Sequence, residues 1–259
     1  MARLERLRVY PVKSLNGVDL EAAQVLDGGT LERDREFVLR DADGEAVTAK
    51  RTAEIHAFDT DFDPQTSELT VTGPDGENRR FDLVDARERE RAATLFGDTL
   101  EIDLTIERDR STGFVDRPEM GPSVISTATL EVVASWFDEL TVESVRRRLR
   151  ANLEVSGVPA FWEDRFVGAD APSFTVGDVT LEGVTPCARC VVPGRDPDTG
   201  EALPEFRERF LEKRRETFPA FADEDAFDHY YTLMLIAQVR EADRGSTLRV
   251  GAPAEVVDE

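Results

Sequence analysis

The sequence predicts a β-rich, mixed α/β protein in two units. These are a small, mostly β, barrel-like domain over residues 1–108 and a second β-barrel-like domain with peripheral helices over residues 109–259. Three observations carry this. Period-two alternation cut by Gly, Pro and Asp turns fills the first hundred residues. The stretch Glu107 to Pro122, rich in charge, Gly and Pro, has neither a strand nor a helix period and reads as a linker. Beyond it, strand patterns are interspersed with charged or amphipathic helices. With 259 residues, 40% of them hydrophobic, the chain can bury a real core.

Leu4 to Tyr10 alternates loosely before Pro11 and forms the first strand. Arg35 to Arg40, the turn Asp43-Gly44 and Ala46 to Ala49 have a hairpin signature. A second hairpin joins Leu69–Thr72 to Arg80–Val84 across Gly73-Pro74-Asp75-Gly76. Asp85 to Phe96 is a charged helix, followed by a strand from Leu100 to Ile106. After the linker, Ser126 or Thr127 caps a helix whose Leu130, Val133, Phe137 and Leu140 form one apolar stripe. A short helix bearing Arg146, Arg147, Arg148 and Arg150 follows. Further strands are predicted at Ala151–Val155, Phe174–Leu181, Tyr230–Val239 and Thr247–Val250, with a charged helix from Pro204 to Phe218. No internal repeat or low-complexity tract is visible.

The chain carries 32 Lys and Arg against 54 Asp and Glu, a net charge of −22. Over a folded surface of roughly 11,000 Å² that is about one net negative charge per 500 Å², which argues against nucleic acid or an anionic membrane as partner. There is no apolar run of membrane-span or signal-peptide length, and a cytoplasmic location is expected. Only Lys13, Lys50 and Lys213 are lysines. Carboxylate excess with scarce lysine resembles adaptation to a salt-rich, halophilic cytoplasm, where Asp and Glu keep the surface hydrated; an ordinary acidic mesophile protein is the alternative.

Both cysteines lie in Cys187-Ala188-Arg189-Cys190, so thiol chemistry is concentrated at one place. The motif is compatible with half a zinc site, a redox dithiol, a soft-metal thiolate ligand, or two small buried residues. The only histidines, His56 and His229, are far apart and lack finger spacing, which disfavours zinc. The β-prone Val191-Val192-Pro193 after the motif disfavours a helix-borne dithiol. Elsewhere, Lys13-Ser14 follows the first strand, where an ammonium and a hydroxyl on a turn can hold a phosphate. Arg33-Asp34-Arg35 opens the next strand, and Arg150-Ala151-Asn152 ends the arginine-rich helix. Singly, each has a plain explanation as a solvated or ion-paired surface group.

Their order along the chain is informative. Tyr10-Pro-Val-Lys-Ser14, Arg33-Asp-Arg35-Glu-Phe37, Leu149-Arg-Ala-Asn152, Glu163-Asp164, Pro186-Cys-Ala-Arg-Cys190 and Asp196-Pro-Asp-Thr-Gly200 together resemble the MOSC superfamily with its N-terminal β-barrel domain. Within it, the motifs are most similar to those of the amidoxime-reducing components and the bacterial hydroxylaminopurine-detoxifying proteins. The resemblance covers about residues 4 to 253. It implies a molybdenum cofactor, a metal-binding pyranopterin with one protein cysteine as an added ligand. The same pattern makes Cys190 the metal ligand and catalytic residue, with Cys187 the less favoured candidate. It assigns Lys13, Ser14 and Arg35 to the cofactor's phosphate and pterin, Arg150 and Asn152 to the pterin edge, and Ala188 and Arg189 to contacts beside the metal. Arginine's planar donors suit such an anionic heterocycle. Ala151 stands where the pattern has proline, which loosens the turn.

The implied activity is a molybdenum-dependent oxidoreductase that reduces small N-hydroxylated compounds. No four-cysteine segment is present, so no iron–sulfur cluster is expected in this chain, and electrons are expected from a separate donor protein such as a ferredoxin. Pyridoxal phosphate is not favoured, since nothing marks Lys13 as a Schiff-base lysine. The alternatives are a non-catalytic carrier of the cofactor or of sulfur, and a β-barrel interaction module without cofactor.

Overall fold

The computed structural model describes residues 1–117 and 120–257. The chain runs through strands β1 (Arg3–Val9), β2 (Val18–Leu20), β3 (Ala22–Gln24), β4 (Phe37–Asp41), β5 (Asp59–Asp63), β6 (Glu68–Thr72) and β7 (Asn78–Asp82), then helix α1 (Ala86–Leu100) and β8 (Leu104–Arg108). It continues with β9 (Ser123–Ser126), α2 (Thr127–Ser135), α3 (Val142–Leu149), β10 (Leu153–Ser156), β11 (Ser173–Val176) and β12 (Val179–Ala188). Helix α4 (Phe206–Glu216), β13 (Thr232–Val239), β14 (Thr247–Arg249) and β15 (Ala254–Val257) complete it. The protein is mixed α/β and β-rich, as expected.

Eight strands form one sheet in the order β15-β11-β12-β13-β9-β10-β1-β2. Only β9 and β10 pair in parallel, and α2 and α3 lie between them in the chain, as a parallel connection requires a crossover. The sheet crosses the expected division at residue 108. β1 pairs with β10, placing Leu7 opposite Leu153, and β3 pairs with β14. Leu4, Leu7, Val9, Val25 and Leu31 are therefore buried in one core with Leu153, Phe174 and Leu235. A second core, built on β4 to β8 and α1, gathers residues from Val12 to Ile106. A third packs α2, α3 and α4 around Trp136, Phe137 and Phe210.

The loose alternation of β1 has a local cause. Its register against β10 shifts between Leu4 and Arg6, so a bulge keeps Leu4, Leu7 and Val9 all fully buried although the first two are three residues apart. The hairpin over 68–82 forms as expected, and Asp85 caps α1 by accepting from the backbone N–H groups of Arg87 and Glu88.

Other expectations are corrected. Helix α1 continues to Leu100, closed by Glu101 in the left-handed region, so the following strand begins at Leu104. The ladder partner of β4 is β8, and Ala46 makes only an isolated bridge to Arg40. Phe174–Leu181 is two strands, broken at Gly177, whose φ is +59°. Helix α2 stops at Ser135, and Phe137 is buried from the loop beyond. The segment expected as a linker is tied to the body: Phe114 N–H donates to Arg35 O, and Gly121 N–H to Ala237 O. Pro118 and Glu119 of that segment lie outside the described residues. Among the described residues no helix is long and apolar enough to cross a membrane.

Strand β12 delivers the cysteines. Its register against β13 shifts twice, between Gly183 and Thr185 and between Pro186 and Ala188, which accommodates a proline inside a strand. A Cβ at Gly183 would fall 1.7 Å from the carbonyl oxygen of Phe166, so only glycine allows this close approach.

Candidate functional site

A cleft of about 580 Å³ is lined by the ends of β1 and β12, the C-terminus of α3, and loops from both parts of the chain. Its lining contains Lys13, Ser14, Arg35, Arg150, Asn152, Cys187, Ala188, Arg189 and Cys190, all nine residues expected from the sequence. Among the described lining residues ten are Lys or Arg, and only Asp34 and Asp116 are acidic. A chain of net charge −22 thus concentrates positive charge in one cleft, the condition under which an anionic ligand is attracted.

Tyr10 organises one wall. Its backbone N–H donates to Asp34 Oδ1 at 2.9 Å, and Asp34 pairs with Arg35. The guanidinium carbons of Arg35 and Arg150 lie 5.1 and 4.0 Å from the centre of the Tyr10 ring, so both cations are held against one aromatic ring. Arg150 is the left-handed C-cap of α3. Burial, with Arg35 and Arg8 nearby, pushes its pKa down to about 10, against the opposing pull of Tyr10 and Asp34. Among the described residues it makes no ion pair, so this cation gains most from an added anion. Ser14 and Arg35 also have positive φ, +74° and +54°, backbone strain of the kind retained at ligand sites.

Lys13 Nζ donates to Phe114 O at 2.8 Å and to Asp116 Oδ1 at 2.6 Å. Lys50 Nζ donates to Asp116 Oδ2 at 2.7 Å. Desolvation alone would raise the Asp116 carboxyl, but the two lysines hold it well below the usual carboxylate range. Two of the chain's three lysines thus meet on one carboxylate in the cleft.

The cysteines stand on the other wall, both partly buried and unpaired. Arg189 directs Nη1 to Cys187 Sγ at 3.3 Å and Nη2 to Leu149 O at 3.0 Å, while its Nε is buried without a partner among the described residues. The guanidinium therefore serves Cys187 and not Cys190. Asn152 is largely committed to the protein. Its Oδ1 accepts from Ser123 N–H and Oγ at 3.2 and 3.0 Å, and its Nδ2 donates to Arg8 O at 3.1 Å, which leaves one N–H for a ligand. Lys50, His56, Asp116 and Arg195 line the cleft without having been expected from the sequence. The rarity of lysine is the one signal that marks Lys50.

A buried orphan donor beside two thiols, in a cationic cleft with few acids, fits an anionic, soft-metal cofactor. The chain is 24% identical over 247 residues to "Molybdenum cofactor sulfurase" of Oryza sativa subsp. japonica, covering 77% of this chain and 29% of that protein. It is 25% identical over 232 residues to "Mitochondrial amidoxime reducing component 2" of Bos taurus, covering 76% of this chain and 67% of that protein. The chain thus spans under a third of the sulfurase it matches. Among solved structures, the YUAD protein of Bacillus subtilis aligns over 98% of this chain and 94% of its own, with 12% identity and a TM-score of 0.38. The family model for the MOSC N-terminal beta barrel domain matches residues 1–141, and that for the MOSC domain matches residues 118–254. The chain belongs to the MOSC domain family, with a MOSC N-terminal β-barrel domain followed by a MOSC domain.

Proposed function

We propose that this chain binds a molybdenum cofactor in the cationic cleft and reduces small N-hydroxylated compounds, R–NH–OH + 2e⁻ + 2H⁺ giving R–NH₂ + H₂O, with electrons from a separate donor protein in the cytoplasm. The observation that carries the reading is the convergence of all nine expected residues, the two thiols among them, on one cleft in an otherwise acidic chain. When bound, the cofactor supplies the two-electron chemistry and the oxygen acceptor. Cys190 would be the chain's thiolate ligand to it, while Lys13, Ser14 and Arg35 would hold its phosphate and pterin. Arg150 and the remaining Asn152 N–H would reach the pterin edge, and Tyr10 keeps the Arg35 and Arg150 cations oriented. Ala188 would contribute contacts beside the metal without bulk.

A second reading, a carrier of cofactor or sulfur, is favoured by one contact, the Arg189 guanidinium on Cys187 Sγ. That sulfur would take up the outer sulfur of a donor persulfide, whose own sulfur leaves as a thiol, with the guanidinium at 3.3 Å holding it in place. Metal analysis of protein made in a cofactor-producing host, followed by hydroxylamine turnover with an artificial reductant, tests both. About one Mo per chain with turnover is expected; Cys190→Ser should abolish turnover, and Cys187→Ser should retain part of it. Mo without turnover favours the cofactor carrier, absence of Mo refutes the reductase and the cofactor carrier, and equal loss in the two variants removes the choice of Cys190.

A further inference from the structure

The residues assigned to the cofactor leave part of the cleft unexplained. His56 comes from the 3₁₀ turn Glu54–Ala57, and Arg195 directly follows the 3₁₀ turn Val192–Gly194. Both line the cleft, and among the described residues His56 Nε2 and Arg195 Nη1 are buried without a hydrogen-bond partner. An unpaired buried polar atom is costly, and here two, from distant parts of the chain, line one cavity.

Their surroundings hold them in place. Asp196 Oδ1 accepts from the backbone N–H groups of Asp198 and Thr199 at 3.0 and 3.1 Å, closing the Asp196–Gly200 turn on itself. The buried Arg148 donates to the carbonyls of Pro193 and Arg195 and to Asp196 Oδ2 at 3.3 Å. Pro197 O, from the same turn, lies 3.2 Å from His56 Nδ1. A carbonyl only accepts, so Nδ1 carries the proton and Nε2 of the neutral ring is a bare lone pair. A Cβ at Gly200 would sit 2.6 Å from Ala53 O, so the turn packs directly against the segment that leads to His56. The charged groups acting on His56 are Arg150, Arg195 and Asp196. Burial keeps the imidazole below its ordinary value, the Pro197 hydrogen bond opposes this, and the two guanidiniums reinforce it.

We infer that His56 and Arg195, with Arg150 beside them, form an anion subsite for the substrate, taking an oxyanion of the carboxylate or phosphate class. Arg195 offers a charge-assisted donor. The anion counters the field of the two guanidiniums, so His56 takes one proton from solvent as it binds and Nε2 becomes a donor to the anion oxygen. Its role toward the substrate rests on the proposed reduction, whereas its anion binding is measured without the cofactor.

The test uses the full chain as purified, with sulfate and acetate as probes, since neither changes protonation between about pH 6 and 8. His56 and His229 are the only histidines, so two imidazole Hε1 signals are followed by proton NMR and assigned with His56→Gln. Sulfate, acetate or both should raise the His56 titration midpoint by about half a unit or more and leave that of His229 in place. Response to sulfate alone selects the phosphate class, and response to acetate alone selects the carboxylate class. Arg195→Gln should raise the anion concentration required about tenfold or more, Arg195→Lys should retain part of the response, and Lys13→Gln should leave it unchanged. The inference is overturned if neither anion moves the His56 midpoint, if Arg195→Gln responds like the wild type, or if Lys13→Gln removes the response.

Discussion

Replacing Glu163 by glutamine removes a proton-binding site from the protein interior. Glu163 is fully buried. Its Oε2 accepts from Ser126 N–H at 3.2 Å, while Oε1 has no partner among the described residues. Burial, with the neighbouring Asp164 carboxylate adding, pushes its pKa up to about 8 from the ordinary 4.5. Asp164 is itself engaged by Arg214 Nη2 at 2.5 Å. The folded state therefore keeps the Glu163 proton well above the pH at which the unfolded chain releases it. That stabilising contribution is fully present below about pH 4.5 and is lost as pH rises through about 8. Between pH 7 and 9 the folded state holds on average about half a proton more than the unfolded state. At about 1.4 kcal/mol per bound proton per unit, the loss over that interval is about 1.4 kcal/mol. For a chain of this size it corresponds to about 3 °C in unfolding temperature.

Glu163→Gln keeps the shape and the acceptor for Ser126 but cannot ionise. Any cost of its buried amide is the same at every pH, so the difference between the two proteins isolates the carboxyl. Thermal unfolding followed by circular dichroism at half-unit steps from pH 6 to 9 is the assay. The wild type should lose about 3 °C relative to the variant between pH 7 and 9. Parallel curves over the whole range would refute the reasoning, because they would mean that Glu163 ionises alike in folded and unfolded chains.

Two more outcomes concern stability. Gly183→Ala forces a Cβ onto the Phe166 carbonyl, so the backbone of β12 must shift; the loss should exceed about 2 kcal/mol, and an unchanged unfolding temperature would show that the strand is not held there. The net charge of −22 should make self-repulsion dominate at low salt, so the unfolding midpoint should rise between about 0.1 and 2 M KCl as the screening length falls. Exposed pairs such as Arg79–Asp75 and Lys50–Asp116 act in the opposite direction, and a flat or falling midpoint would count against a halophilic surface.

Much of this protein is decided locally and was legible in its sequence. The 68–82 hairpin follows from alternation around Gly73 to Gly76, and the starts of α1 and α2 follow from Asp85 and Ser126, whose side chains accept the first free N–H groups. The position of the thiols in a two-cysteine chain and the identity of the arginine and lysine residues near them were also legible, because residue type alone limits what chemistry a side chain can do. Tertiary structure decided the rest. Backbone donors and acceptors are the same at every residue, so nothing in Leu4–Val9 says that its partner is 153–156, and only burial of Leu4, Leu7 and Val9 against Leu153 and Phe174 selects that pairing across the expected boundary. The extension of α1 to Leu100 and the bulges of β1 and β12 are likewise set by what packs against them. Whether a guanidinium is a wet surface group or part of a site depends on its distance from distant residues. Arg189 turns to Cys187, Arg148 is spent on a turn, and among the described residues His56 Nε2 and Arg195 Nη1 are left unpaired at the cleft, where the Asp196–Gly200 turn packs on residues 53–56. Such meetings are made by the folded chain as a whole, and no local spacing encodes them.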